Sequence, residues 1–400
     1  MSRIRALTAA VAVVMAAACG SGPGRALTSL SPSATVTPLP IASASATASP
    51  SAAPVPPPDY GPPPPGVDLL YLQFPRSPSW LVGYDWQGKP AATVHLKELD
   101  GQTDQLGSGI GVAPNGNGFI YGGAYTFDRL GHAVYQAQPA GKGSAPTTWS
   151  EDGQLLCGVE EQDSAVDSSG NGTADFYFVR RTPTGPAVRV VSFLHVNAIP
   201  GDMGYSAFAC SHWLDRALLV RTVCCGIQGA IVVRISDGAI LGRWDRDAGP
   251  PVFSPDGQEI ADPTITTDGK GVISTEVRLV LGGTVMARYG PGISFLGFSG
   301  NNRFAAASVS VAGGTQTEVI EVSTRRVVWS GFLNRPPSRI VARPGSGDLA
   351  LAFTAAPEQI PCPLASSSSC TNPLSDVVIV HPDGSSATLA GEFLVPMTWG

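Results

Sequence analysis

Past residue 66 the chain alternates short apolar runs with tight polar turns, and no stretch sustains the apolar period of an amphipathic helix. The clearest unit is Val252 to Ala261 (VFSPDGQEIA), two apolar runs hinged on Ser254-Pro255-Asp256-Gly257. Asp, Asn and Gly accept the left-handed or side-chain-bonded backbone of a tight hairpin, so the unit reads as strand, turn, strand. Weaker copies of the turn stand at Ala113 to Gly116, Ser150 to Gly153, Leu214 to Arg216, Ser299 to Asn302 and Pro344 to Gly347. After these turns come second strands at Phe119 to Tyr121, Gln154 to Val159, Ala217 to Val223, Arg303 to Val309 and Asp348 to Phe353. Third and fourth strands follow, as in Ala230 to Ile235 and Ala239 to Trp244 around Ser236-Asp237-Gly238, and in Glu318 to Val322 and Arg326 to Ser330.

The turns recur at spacings that cluster near roughly 40 to 45 residues, the length of a four-stranded propeller blade. The predicted fold is all-β: a single β-propeller over residues 67–400, with seven blades, and six or eight as the alternatives because Ile110 to Pro146 is short for four strands. The count uses both ends. Asp68 to Phe74, Trp80 to Trp86 and Ala92 to Leu96 are three strands without an innermost one, and Val395 to Gly400 is a lone strand without a hairpin partner. Pairing the N- and C-terminal strands completes the last blade and removes open sheet edges. The block at Phe253 to Ala261 resembles the PD40 repeats of TolB-type bacterial propellers, and the weaker copies resemble it in turn. No blade closes on the Trp-Asp dipeptide of typical WD40 repeats.

The N-terminus changes the picture of where this ring resides. Arg3 and Arg5 precede an apolar run from Ala6 to Ala18, the layout of an export signal. Ala16-Ala17-Ala18-Cys19 resembles a bacterial lipobox, in which the cysteine is acylated and becomes the mature N-terminus, with Ala16 where leucine is usual. Cleavage after Ala18 with an unmodified Cys19 is the plainer alternative. The expected domains are residues 1–18 as signal peptide, 19–66 as lipidated cysteine plus tether, and 67–400 as propeller. The tether is almost entirely Pro, Ser, Ala and Thr, too poor in large apolar residues to offset its ordering entropy, so it is expected to be disordered and extended. The expected location is extracytoplasmic, held to the bacterial cell membrane by lipid.

Charged residues make up only 14% and the net charge is −6, so there is no basic footprint for nucleic acid. Of the seven cysteines, six remain beside Cys19, and an even number in an exported chain favours disulfides. Cys362 and Cys370 bracket a Ser-rich loop and are expected to pair. Cys157 and Cys210 lie at similar heights after their own first turns, which favours their pairing and leaves Cys224 with Cys225 as a vicinal bridge; Cys157 with one of the vicinal pair is the rival.

Candidate chemistry is sparse. Asp167 to Asp175 (DSSGNGTAD) resembles the calcium loops of dockerin and FG-GAP type, with Asp167, Asn171 and Asp175 as ligands, but Ser169 and Phe178 fall where further oxygen ligands are expected. A polar hairpin loop accounts for the same residues, and no cofactor is expected otherwise. Motifs for a nucleophile elbow, a metalloprotease helix or a phosphate loop are absent. His95, His132, His195, His212 and His381 are scattered and read as ordinary strand or turn residues. Glu160-Glu161 could flank a sugar, and Trp80, Trp86, Trp149, Trp213 and Trp399 could stack on one, though blade packing is their simpler role.

In such a ring the second-to-third loops share a face with the inter-blade connections. The longest insertions, Glu161 to Asp175, Cys224 to Gly229 and Ala355 to Ser375, fall there, and the tether enters opposite. The expected function is a membrane-anchored binding or scaffold module for an envelope protein, peptide or glycan, using the decorated face. The alternative is an extracytoplasmic propeller enzyme, a glycan hydrolase or lyase or a quinoprotein-like dehydrogenase. Replacing Cys19→Ala is expected to abolish incorporation of labelled fatty acid and move the protein from the membrane to the soluble fraction. Retention of both by the variant would refute lipidation at this residue.

Overall fold

A computed structural model describes residues 56–74, 77–100, 110–122, 125–136, 146–163, 172–198, 203–223, 226–245, 251–265, 273–354 and 375–393. They form seven separate antiparallel sheets in chain order. Sheet 1 holds β1 (Leu70–Phe74), β2 (Ser77–Tyr84) and β3 (Pro90–His95). Sheet 2 holds β4 (Ile110–Val112), β5 (Gly118–Tyr121), β6 (Tyr125–Asp128) and β7 (Ala133–Gln136). Sheet 3 holds β8 (Thr148–Trp149), β9 (Leu156–Asp163), β10 (Gly172–Arg181) and β11 (Val188–Ala198). Sheet 4 holds β12 (Met203–Ser211), β13 (Arg216–Val223), β14 (Gly226–Arg234) and β15 (Ile240–Asp245). Sheet 5 holds β16 (Val252–Phe253), β17 (Glu259–Ile265), β18 (Ile273–Leu279) and β19 (Val285–Tyr289). Sheet 6 holds β20 (Ile293–Phe298), β21 (Phe304–Val311), β22 (Gly314–Glu321) and β23 (Val327–Leu333). Sheet 7 holds β24 (Arg339–Ala342), β25 (Leu349–Thr354), β26 (Ser375–Val380) and β27 (Ser386–Phe393).

The protein is a seven-bladed β-propeller. Six blades or eight are excluded, and the short segment after Ile110 fits its four strands by keeping each to three or four residues. Side-chain alternation closes the ring. In β13, Ala217 and Leu219 pack against sheet 3 while Leu218 and Val220 pack against sheet 5. In β25, Leu349, Leu351 and Phe353 face sheet 6, and Ala350 and Ala352 face sheet 1. A strand buried on both faces must be apolar at every position, which is why these runs lack the polar alternation of a one-sided sheet. Leu70 and Leu72 pack with Val341, Ala350 and Ile379, whereas Tyr71 packs with Val112 and Phe119. Sheet 1 is therefore wedged between the last sheet and the second. The C-terminal strand expected to complete it lies outside the described residues.

The recurring turn has one physical basis. Ser254 Oγ donates to Asp256 Oδ1 (2.6 Å) and accepts from the Glu259 N–H (2.9 Å), while Asp256 Oδ1 accepts from the Gln258 N–H (3.0 Å). Ser150, Asp152, Gln154 and Leu155 repeat the set at 2.7, 3.0 and 2.9 Å. Ser299, Asn301, Arg303 and Phe304 repeat it again at 2.9, 3.1 and 3.0 Å. The serine is fully buried in all three, so its hydroxyl needs both partners. Gly257 has φ 67°, and a Cβ there would come within 3.0 Å of Ala209 Cβ. The turn thus demands glycine for its backbone and for the approach of sheet 4.

Two of the expected second-to-third loops are shorter than the sequence suggested, because β9 runs on to Asp163, β10 starts at Gly172 and β14 starts at Gly226. Residues 164–171, 224–225 and 355–374 lie outside the described set. Part of the segment assigned to the tether is built into the fold. Thr93 of β3 donates its N–H to Gly61 O (2.8 Å) and its hydroxyl to Pro58 O (2.8 Å), and accepts from the Tyr60 N–H (3.0 Å). Residues Pro58 to Gly61 thereby cover the free edge of β3. Val67 then passes the β4–β5 turn, where its carbonyl lies 2.9 Å from the Cβ position of Gly116. The chain enters on the face of the first-to-second turns.

Sheets 3 and 4 are joined covalently by Cys157 and Cys210, 53 residues apart. Cys19, Cys224, Cys225, Cys362 and Cys370 lie outside the described residues. Closing a loop of that length in the unfolded chain is worth about 4 kcal/mol in the chain-entropy model. The double variant Cys157→Ala, Cys210→Ala is expected to lose stability of that order in urea titration, and the same loss should follow when the parent is unfolded under reducing conditions. Unchanged midpoints in both experiments would show that the bridge is not formed in solution.

Candidate functional site: the central cavity

The first strands of the four-stranded blades stand side by side around the axis. Where two of them end, Ser150 bridges Cys210 and Gly300 bridges Pro344 across neighbouring sheets. Five of these strands, β8, β12, β16, β20 and β24, with their flanking residues, line an open cavity of about 520 Å³. Its wall is apolar and aromatic: Trp149, Phe208, Phe253, Leu296, Phe298 and Ile340 contribute, and Arg339 is the one charged lining residue among the described residues.

Local sequence explains how these side chains reach the axis. The register of β12 against β13 skips at Phe208, and that of β20 against β21 skips at Leu296. A bulged residue leaves the pleat and re-aims its side chain. Both bulged residues line the cavity, and Phe208 stays part-exposed with its ring 5.4 Å from that of Phe253. The wall's hydroxyls are already engaged, Thr148 Oγ1 donating to Ala207 O (2.8 Å) and Ser338 Oγ to Ala352 O (3.1 Å). Trp149 is 2% exposed, and its indole N–H has no acceptor among the described residues. A buried donor left unpaired is costly, and this one lies within the packing of Ala113, Ile120 and Leu156. Burial lowers the Arg339 pKa from its ordinary value, yet a guanidinium remains charged at neutral pH. Chemically the arrangement suits apolar groups, with a positive charge at one place on the wall.

The rim on the first-turn face is knitted by carboxylates. His212 Nδ1 meets Asp152 Oδ2 at 2.6 Å, and Asn302 Nδ2 donates to both oxygens of Asp256 (3.1 and 2.9 Å). In each case the turn of one blade binds that of the next. Burial alone would raise the Asp152 carboxyl, but the bonds from Ser150, His212 and the Gln154 N–H together hold it below its ordinary range. Glu259 behaves oppositely. Burial, and then the Asp256 carboxylate beside it, push it up to about 7, and its Oε2 is buried without a partner.

The structure disperses most residues singled out from sequence. His95 pairs with Asp100 (2.9 Å), His132 with Asp128 (3.1 Å) and His381 with Asp348 (2.9 Å), each a local support of a turn or strand end. Nothing is described for the side chain of His195. Glu160 is bound by Arg189 through two bonds of 2.7 and 2.6 Å. Asp175 stands on β10 opposite Gln162, while Asp167 and Asn171 lie outside the described residues, as does Trp399. Among the described residues no group of three His, Cys, Asp or Glu side chains could hold a metal ion. No described helix is long and apolar enough to cross a membrane. Trp86 and Trp149 are buried and Trp80 stacks on His95 at 4.0 Å. Sequence reasoning missed Phe208, Leu296 and Arg339. They lie on three separate blades, and no local spacing marks a bulge.

No protein-family model and no curated protein sequence matches the chain. Solved structures do. The β-propeller domain of the trilobed protease from Pyrococcus furiosus is 16% identical with a TM-score of 0.30, over 46% of this chain and 58% of that one. TolB from Acinetobacter baumannii is 11% identical with a TM-score of 0.33, over 66% of this chain and 63% of that one. A putative TolB from Agrobacterium tumefaciens is 15% identical with a TM-score of 0.32, over 67% and 87%. The chain is similar to TolB-type propellers. It spans about three-fifths of the length of the first two proteins, 58% and 63%. The likeness is one of fold and says nothing about ligand or activity.

Glu259 yields a pH test. Its folded value lies above the ordinary 4.5, so its favourable contribution is complete below that pH and is lost as pH rises through about 7. Glu259→Gln is expected to melt with the parent near pH 5 and above it near pH 8. A difference in melting temperature that does not change with pH would overturn this reading.

Proposed function

We propose that the chain is a binding or scaffold module, anchored outside the cytoplasm through Cys19, whose central cavity receives a peptide segment of a partner protein. The observation that carries this reading is the cavity itself: five blades supply an apolar, aromatic wall with a cationic lining residue. Ligand sites are concave and mostly apolar, with a few polar groups that set orientation. The wall suits apolar side chains, and the Arg339 guanidinium adds a positive charge at one place on it. A structural disulfide fits an oxidising compartment. Anchoring rests on Arg3, Arg5, the apolar run and Cys19.

Selection of a displayed random-peptide library on the full-length protein tests the proposal. Recovered peptides are expected to share apolar residues and an acidic group. Phe208→Asp and Arg339→Gln should each weaken them by roughly tenfold or more, the effect of removing a central contact. Peptides that bind both variants as tightly as the parent would place the site elsewhere. Failure to recover any peptide dependent on these residues would remove the proposal.

A further inference from the structure

A second feature lies away from the cavity wall and is independent of the peptide reading. Trp213, in the β12–β13 turn, is 77% exposed, unlike the buried Trp86 and Trp149. An indole left in water forgoes the gain of burial, so its exposure has another cause when its backbone is fixed. It is fixed. Glu151 of the neighbouring sheet accepts from the Trp213 N–H (2.8 Å), the His212 N–H (2.9 Å) and Ser211 Oγ (2.9 Å). Ser211 Oγ in turn accepts from the Leu214 N–H (3.2 Å), and the turn starts directly after the disulfide at Cys210.

His212 stands next to the ring. Its side chain is 49% exposed, its Nδ1 is bound by Asp152 at 2.6 Å, and its Nε2 has no partner among the described residues. With Nδ1 turned to the Asp152 carboxylate, Nε2 is the ring nitrogen left to a ligand, an acceptor in the neutral ring and a donor in the charged one. The turn therefore presents an exposed indole on a fixed backbone, with a polar ring nitrogen on the residue before it and the carboxylates of Glu151 and Asp152 bound to the same turn.

We propose that Trp213 and His212 form a binding site for a neutral pyranose of a glycan chain. A sugar ring offers C–H groups to the indole face and hydroxyls, which both donate and accept, to His212 Nε2. Anionic ligands are disfavoured by the two carboxylates beneath. A proline-rich segment, the other common partner of exposed aromatics, presents mainly carbonyl acceptors, whereas a sugar hydroxyl pairs with Nε2 as donor or as acceptor. A stable protein interface buries about 800 Å² per partner, more than Trp213 and Leu214 provide as apolar surface, whereas one indole matches one pyranose.

Saturation-transfer NMR and calorimetric titration of the full-length protein with neutral oligosaccharides of glucose, N-acetylglucosamine and mannose test this. At least one series is expected to bind. Trp213→Ala should weaken it by roughly tenfold and Trp213→Phe by less, since a smaller ring still stacks. His212→Ala should weaken it by about threefold, the loss of one hydrogen bond. Thermal melts should show the Trp213 variants folded, because the ring is exposed; if Trp213→Ala does not fold, Trp213→Phe carries the comparison. The proposal falls if no oligosaccharide binds, or if Trp213→Ala binds like the parent. It also falls if a synthetic peptide of residues 26–55 binds in a Trp213-dependent way while no sugar does. Phe208→Asp should leave sugar binding intact, which separates this site from the cavity.

Discussion

Every sheet of this protein depends on burying both of its faces against two neighbours. Leu219 and Leu218 point to opposite sides of one strand and enter two different cores, as do Leu351 and Ala352. No blade has a core of its own, so removing one would expose two apolar faces at once. The ring must close for any blade to be stable. Sheet 1 meets that demand by packing Leu70 and Leu72 on one side and Tyr71 on the other.

Polar groups are placed where this packing leaves backbone unpaired. Ser254, Ser150 and Ser299 sit fully buried under the hairpins, where each hydroxyl replaces the ladder bonds that a turn interrupts. Arg181 does comparable work between sheets 2 and 3. It is 3% exposed, donates to Thr126 Oγ1 (2.7 Å) and Pro183 O (3.1 Å), and lies 4.9 Å from the Tyr135 ring. Burial lowers its pKa to about 10, and the cation is kept by hydrogen bonds and the ring face.

The cavity and the Trp213 turn use this scaffold in different ways. Bulges in first strands send Phe208 and Leu296 into a space shared by five blades, a composite surface that no single repeat contains. At the turn, by contrast, one carboxylate from the adjacent blade binds three neighbouring groups, so that Trp213 is held out with its N–H paired. Apolar contacts suit the cavity and stacking suits the turn.

Strand order, blade length and the turn chemistry were legible along the chain. Short apolar runs, hairpin residues and the Ser-x-Asp-Gly spacing depend on bonds between near neighbours. The approximate height of Cys157 and Cys210 was legible for the same reason, since both are counted from a nearby turn. Which apolar residue lines the axis was not, because β12 and β20 change their alternation at a bulge that no residue type announces. His212 read as an ordinary turn residue, and only the meeting of neighbouring blades places Asp152 on its Nδ1. Trp213 and Trp149 are the same residue type in the same repeat pattern. Local composition made both of them strand or turn residues; the closing of the ring buried one in the wall and left the other in solvent.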